Sequence, residues 1–523
     1  MRLRHALALA SLAIACGASP APTPSPPAAA PAEVTADEAP VEVAPAAEEV
    51  APPATTAPPA PPPPSGPRIG SIKYITWVFS QPSHEGRKIG YLREGTSAEL
   101  ASPDPVPGHG CKGGWRSIKP FGFVCHDSST VLEPKHALWA AQSFAAQDPS
   151  GVMPFRYAFS TGAPMYGRIP TEAEQRKVEG DPEKRPKPQK LGAWSSGHEE
   201  LADAPPIKGT DPVPAIFRDL PAGKTTPVHW GEDHRIVRKW IPNGSMLAFS
   251  HAFEANGRTW LLSPDLTIVP ADRVRPFRTS TFHGTPLGGD VELPIAWARH
   301  DAVTRYERKE GGFAALPDKL PPRTFVKLGT ERVEDGKKAW LATSDAKVWV
   351  LESDVAIARA KDKLPFGVKD DEKWLEVHIR AGTLVAYVGL KPVFATLVSP
   401  GAGGVGPYNG TNEELVKLSA TPLGSYRTVW KTRAAAMSPE KGEPEKFWIA
   451  DVPWTQYFRA PFAIHTAYWH EDFGMPKSAG CINVSPEDGK HLFGWTDPPV
   501  PPSWQGAGSS KEGGLGTVLV VLP

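Results

Sequence analysis

Glycine and proline punctuate this chain throughout: its 523 residues include 61 prolines and 48 glycines. Outside one low-complexity segment they separate short runs in which apolar and polar residues alternate, as in "KYITWVFSQ" and "KIGYLREG". Proline inside a helix removes a hydrogen bond and clashes with the preceding turn. Alternation with period two places every second side chain on one face of a strand. The chain is therefore expected to be mostly β, built of turn-rich units rather than a helical bundle. Its length allows several domains and cores. Lys plus Arg equals Asp plus Glu at 57 each, so nothing points to a nucleic-acid partner, which would want a basic face.

The N-terminus reads as a targeting segment. "MRLRHALALASLAIACGAS" has Arg2 and Arg4, an apolar run from Ala6 to Ala15, then Cys16. A basic start, a short apolar run and small residues make a secretory signal peptide over 1–16, and the run is too short to span a bilayer comfortably. Cys16 after Ala-Ile-Ala resembles a bacterial lipoprotein processing site. That resemblance implies lipidation at Cys16 and an exported protein of the periplasm or cell envelope, anchored at the outer membrane if the cell has one. Residues 17–68 are mostly Pro, Ala, Glu, Val and Thr. Such a composition cannot bury a core, and a Pro-rich tether of this length reaches on the order of 100 Å.

The chain has four cysteines: Cys16, Cys111, Cys125 and Cys481. In an oxidising compartment paired thiols become disulfides. Cys111 and Cys125 bracket one short stretch and are expected to pair, leaving Cys481 as a thiol that something uses or buries.

The segment 69–132 contains "KIGYLREGT", then "GGW", then a glycine turn in "PFGFVC". This order resembles a bacterial SH3-like small β-barrel module. Within 133–365 the theme recurs twice: Gly257, Trp260 and Asp272 in one stretch, Gly336, Trp340 and Asp354 in another. Each reads as a hairpin with a short tip, a tryptophan and a closing strand, so one or two further SH3-like units are expected there. Their tryptophans are expected mainly in cores, with a groove for wall peptide or glycan as the alternative.

A new domain is expected over 366–523. "KWLEVHIRAGTLVAYVGLKPVFATLVSPG" reads strand, turn, strand, turn, strand. "GAGGVG" at 401–406 formally fits a dinucleotide-binding run but lacks the strand–helix context, and a flexible loop suffices. The chemistry-bearing stretch is "HTAYWHEDFGMPKSAGC", from His465 to Cys481. A cysteine nucleophile needs a base and donors for the oxyanion it creates. His465 is the nearest base on the N-terminal side, and the small residues Ala479 and Gly480 expose the backbone beside the thiol. Two other readings stay open on the residues alone: a buried structural cysteine, and a metal site using His465, His470, Cys481 and His491. The histidine spacing does not suit a helical zinc pair, and no second cysteine lies near.

Residues 370–523 resemble the L,D-transpeptidase, or YkuD-type, catalytic domain. The resemblance rests on the opening strands above, "ATPLGSYRTVWK" at 420–431, "DVPWTQYF", "IHTAYWHEDFGMPKSAGCINV" and the closing "GTVLVVL". It implies a β-sandwich in which Cys481 is the nucleophile, His465 the general base, and the Gly480 and Cys481 N–H groups form the oxyanion hole. Thr466 would orient the imidazole, while Ser478, Asn483 and His470 would border the substrate. The implied reaction is peptidoglycan cross-linking by acyl transfer through a thioester at the diaminopimelate residue of a tetrapeptide stem, with no metal or organic cofactor. The partners implied are stem peptides. One departure matters: the family carries histidine directly before Gly-Cys, and here Ala479 stands there. If that histidine assists proton transfer, the chain is impaired and acts as a wall-binding scaffold. With water as acyl acceptor it is instead an L,D-carboxypeptidase.

Overall fold

The computed structural model describes residues 66–132, 136–148, 150–181, 198–227, 235–437 and 449–523. The expected signal peptide, Cys16 and nearly all of the expected tether lie outside the described residues. Among those described, no helix is long and apolar enough to cross a membrane. The chain is mostly β, with sheets of three, five, twelve, six and seven strands among the described residues.

The first unit is a set of short antiparallel strands. Its hairpin Trp115–Ser117/Phe123–Cys125 is tied by the Cys111–Cys125 disulfide, as the cysteine count predicts. Trp115 is buried against Phe79, ring edge to face at 5.4 Å.

The two sequence repeats fold alike. Asn256 and Gly257 both take positive φ at the tip of the hairpin His251–Ala255/Arg258–Leu262. This is the backbone a two-residue turn needs to match strand twist. A strand, Ile268–Pro270, and a one-turn helix carrying Asp272 follow. In the second repeat the hairpin is Phe325–Asp335/Lys338–Thr343, then Trp349–Leu351 and a one-turn helix carrying Asp354. Trp260 and Trp340 are both buried, as core residues should be.

The C-terminal domain is a two-sheet sandwich. One sheet runs through Lys391–Leu397, Thr383–Val388, Lys373–His378, Val518–Leu522 and Gly424–Arg427. Gly382 and Gly389, both at positive φ, turn its first three strands as the sequence predicts. The facing strands are Ile449–Arg459, Trp430–Met437, Phe462–Thr466 and Ile482–Val484. Leu375, Val377 and Leu384 from the first sheet share a core with Phe458, Ile464, Ile482 and Val484 from the second.

Backbone hydrogen bonding runs across the expected domain boundary. Strand Gly506–Gly508 pairs on one side with Trp430–Met437 and on the other with Lys88–Leu92 of the first unit. Met246 pairs in parallel with Ile449. The result is one twelve-stranded sheet that joins all these parts. Trp504 completes the core of the first unit beside Ile89 and Val78. It stands so close to Gly90 that a Cβ there would lie 2.2 Å from its ring. A buried ion pair, Arg93 with Asp451, clamps the same junction, with side chains only 7% and 9% exposed.

Candidate active site

His465 lies in the strand Phe462–Thr466 and Asn483 in the parallel strand Ile482–Val484, opposite each other in register. Side chains alternate faces along a strand, so His465 and Asn483 share one face. Cys481 lies two positions before Asn483, in the bend that leads into that strand. The sequence Ile-Asn-Val builds this because Ile482 and Val484 point the other way into the core, both fully buried.

The imidazole of His465 is buried and held in one tautomer. Its Nδ1 donates to the Thr466 carbonyl at 3.1 Å. A neutral imidazole with the proton on Nδ1 has an acceptor at Nε2, and Nε2 has no hydrogen-bond partner among the described residues. Thr466 orients the ring through its carbonyl, because its hydroxyl is buried without a partner. Behind Thr466 lies the helix Pro486–Trp495, started by Ser485 accepting from the Asp488 N–H and by Pro486 at its first turn. Gly489 of that helix comes so close that a Cβ would sit 2.0 Å from Thr466 Oγ1.

The turn into the cysteine is stiff. Ser478 Oγ donates to the Cys481 carbonyl at 2.5 Å and accepts from the Gly480 N–H at 3.1 Å. The N–H of Gly480, expected in an oxyanion hole, is thus engaged by Ser478. Gly480 takes φ +119°, and a Cβ would lie 2.6 Å from Phe462 Cε1, so only glycine fits there. Cys481 is buried at 6% exposure and lies outside the disulfide.

His470, expected to border the site, is wholly buried rather than a surface-loop residue. Its Nδ1 accepts from the Asp472 N–H at 3.1 Å, and its Nε2 lies 3.1 Å from the Asn483 side-chain amide. A ring accepting at Nδ1 and neutral must carry its proton on Nε2. The orientation of Asn483 that faces its oxygen to that proton also satisfies the otherwise orphaned Oδ1. Burial pushes the His470 pKa down to about 3, against a smaller upward pull from Asp472, with Lys477 and His465 adding to the fall. His470 is therefore a neutral strut between the loop and Asn483.

Sequence reasoning missed two parts of this site. The first is the segment Ser399–Ala402, whose glycines read as a flexible loop. Instead it pairs with the cysteine loop. Ser399 and Asn483 exchange two backbone hydrogen bonds at 2.9 Å, and Ala402 N–H donates to Ser478 O at 2.7 Å. Gly401 has no room for a side chain, since a Cβ would be 2.3 Å from Ser419 O and 3.0 Å from Gly480 Cα. Small residues directly after a strand were the available signal. The second is the outer clamp on the histidine loop. Ser280 Oγ donates to Glu471 at 2.9 Å, Arg323 lies 3.5 Å from the same carboxylate, and His300 lies 3.3 Å from Asp472. All three come from residues before the C-terminal domain. Among the described residues no group of three or more His, Cys, Asp or Glu side chains is placed to hold a metal ion. His491 packs on Phe394 instead.

Residues 372–520 match the family model of the L,D-transpeptidase catalytic domain, YkuD. The C-terminal domain is thus an L,D-transpeptidase-type catalytic domain. Similar solved structures include an L,D-transpeptidase from Xylanimonas cellulosilytica, 19% identical over 30% of this chain and 64% of that one, with a TM-score of 0.20. Another is an L,D-transpeptidase from Stackebrandtia nassauensis, 22% identical over 31% and 62%, TM-score 0.20. A third is the catalytic domain of an E. faecium L,D-transpeptidase, 19% identical over 29% and 98%, TM-score 0.21. This chain thus spans 64% and 62% of the length of the first two. Comparison with curated proteins gives no match.

Proposed function

We propose that this protein is a peptidoglycan L,D-transpeptidase of the cell envelope, forming cross-links through a cysteine thioester. The observation that carries the proposal is the fixed tautomer of His465. Nδ1–H is committed to the Thr466 carbonyl, and the basic Nε2 is left without a partner among the described residues, on the strand beside the one that Cys481 leads into. Nε2 takes the thiol proton as sulfur attacks the carbonyl of the third stem residue. The tetrahedral oxyanion is met by the Cys481 N–H and, once the Ser478 hydroxyl rotates away, by the Gly480 N–H. The intermediate collapses to a thioester, and the imidazolium returns its proton to the departing D-alanine amine. A second stem's amine then attacks the thioester, an amide forms, and the thiol is restored. The second-histidine position is empty at Ala479. His470 and Asn483, joined by a hydrogen bond, supply structural support from another part of the loop.

The test is incubation of the full chain with a disaccharide-tetrapeptide, followed by mass spectrometry. Release of D-alanine with dimer formation is expected, both lost in Cys481→Ala, and His465→Gln is expected to slow release about 100- to 10,000-fold. Release without dimers would make the protein an L,D-carboxypeptidase. Turnover only in Ala479→His would overturn the enzyme reading in favour of a wall-binding scaffold.

A further inference from the structure

The linker between the two repeats, residues 279–287, precedes the residues that match the catalytic family. From 280 to 284 alternate residues face inward: Ser280, Phe282 and Gly284 are buried, while Thr281 and His283 are exposed. This is the pattern of an extended chain laid along a surface. The surface is the catalytic domain. Thr285–Pro286 adds an edge strand to its first sheet, opposite Ala395 and Phe394. Gly284 is seated so closely that a Cβ would lie 2.3 Å from the Ala395 carbonyl and 2.6 Å from Thr396 Cβ.

The two ends of this linker reach the site from two sides. At its start, Ser280 Oγ donates to the Glu471 carboxylate at 2.9 Å. That side chain is only 3% exposed, with Arg323 at 3.5 Å and Arg278 at 3.6 Å. Burial pushes the Glu471 pKa up, and the Ser280 bond opposes this more than either arginine does. Two residues on, Phe282 stacks on Phe473 at 5.4 Å. Glu471 sits between His470, bonded to Asn483 opposite His465, and Asp472, whose carbonyl accepts from Ser399 Oγ at 2.7 Å. Further along the linker, the Gly284 N–H donates to Asp488 Oδ1 at 2.8 Å, and Thr396 Oγ1 donates to the other oxygen of that carboxylate. Asp488 is buried in the first turn of the helix Pro486–Trp495. Its neighbour Gly489 presses on Thr466, whose carbonyl holds His465 Nδ1. One short segment thus touches both the catalytic loop and the helix behind the base.

We propose that Ser280 is a positioning residue for the reaction, acting through Glu471, and that residues 279–287 form a strap anchored at Asp488 that fixes the catalytic loop against the helix. The strap completes the site from outside the catalytic domain, so the linker between the repeats works for the thiol and not only for the repeats. The proposal rests on the transpeptidase reading for its catalytic consequence. A misplacement of about 1 Å in a reacting group can cost on the order of 100-fold in rate. Loss of one of the loop's several ties is expected to cost about tenfold.

The experiment uses the full chain in four forms: parent, Ser280→Ala, Glu471→Ala and the double variant. D-alanine release from a disaccharide-tetrapeptide gives kcat and KM, and hydrogen exchange followed by mass spectrometry reads the loop without any turnover. Ser280→Ala is expected to lower kcat about tenfold with KM within about twofold of the parent. The double variant is expected to be no slower than Glu471→Ala, because both substitutions cut the same link. In Ser280→Ala the N–H groups of Asp472 and Gly474, bonded to His470 Nδ1 and the Val398 carbonyl, are expected to exchange about tenfold faster. The Leu287 N–H, bonded to the Val393 carbonyl beyond the Asp488 anchor, is expected to exchange as in the parent. Parental kcat in Ser280→Ala overturns the proposal even if the unfolding midpoint falls, and so does a double variant slowed by the product of the single effects. No D-alanine release from the parent would defeat the transpeptidase reading instead. Exchange then decides the strap, and unchanged exchange at Asp472 and Gly474 overturns it.

Discussion

Replacing His470 by glutamine should reverse sign with pH. In the folded chain His470 is neutral, its pKa pushed down mainly by burial to about 3. In the unfolded chain it titrates near 6.5. Between those values the unfolded state binds one more proton than the folded state, so stability rises with pH. The contribution of the neutral histidine is fully present above about pH 6.5 and drains away as pH falls towards 3. At pH 4.5 the loss is about 3 kcal/mol, and at pH 7.5 it is close to zero. Glutamine does not titrate. It can keep one of the two hydrogen bonds, to Asp472 N–H or to Asn483, but not both. Losing the other costs about 1–2 kcal/mol at any pH. The parent should thus be the more stable by about 1–2 kcal/mol at pH 7.5, and the variant by a similar amount at pH 4.5. Urea unfolding at the two pH values reads this directly. Asp472, Lys477 and His465, which face the ring, and every other titrating group are common to both proteins and cancel in the difference. A difference that stays constant from pH 7.5 to 4.5 would refute the neutral, buried strut.

Two further substitutions test how the site is held. Gly489→Ala would drive a methyl into Thr466 Oγ1. Overpacking there should cost about 1–3 kcal/mol, and because the Thr466 carbonyl sets the His465 tautomer, kcat should fall more than tenfold while circular dichroism stays native. Normal kcat with a lowered unfolding midpoint would show that the helix does not set the base. Arg93→Met would strand the buried Asp451 carboxylate, a loss of about 3–5 kcal/mol. Adding Asp451→Asn should recover most of it, and a double variant no better than the single would discount the ion pair as the clamp.

Much of the C-terminal sheet was legible because its signals are local. Two glycines turn the three strands between Lys373 and Leu397, and both sit where positive φ is needed. The His465–Thr466 pair and the Ile482–Val484 strand were equally local. The disulfide followed from counting cysteines. What stayed hidden depends on close approach between distant segments. Nothing in "GAGGVG" says that Gly401 must press on Gly480, and nothing in "YWHEDF" says that His470 will be buried against Asn483. The joining of Gly506–Gly508 to Lys88–Leu92 was illegible for the same reason, since strand propensity does not name a partner. The expected modules were read as separate units because each hairpin is self-contained in sequence. Their outer strands are nonetheless shared through one sheet.

The clamp between Arg93 and Asp451 also sets an order of events. Its partners are separated by 358 residues. At about 5–20 residues per second of synthesis, the first unit waits roughly 20–70 s for Asp451 to be made. Until then its strand Lys88–Leu92, paired on one side with Thr76–Phe79, has its other edge open, and its core lacks Trp504. Contacts of such long separation close slowly, and open edges invite association with other chains. The first unit of this chain is therefore a client of its own C-terminus. A truncation that spares every residue of the first unit but removes Trp504 onward should leave that unit prone to aggregate.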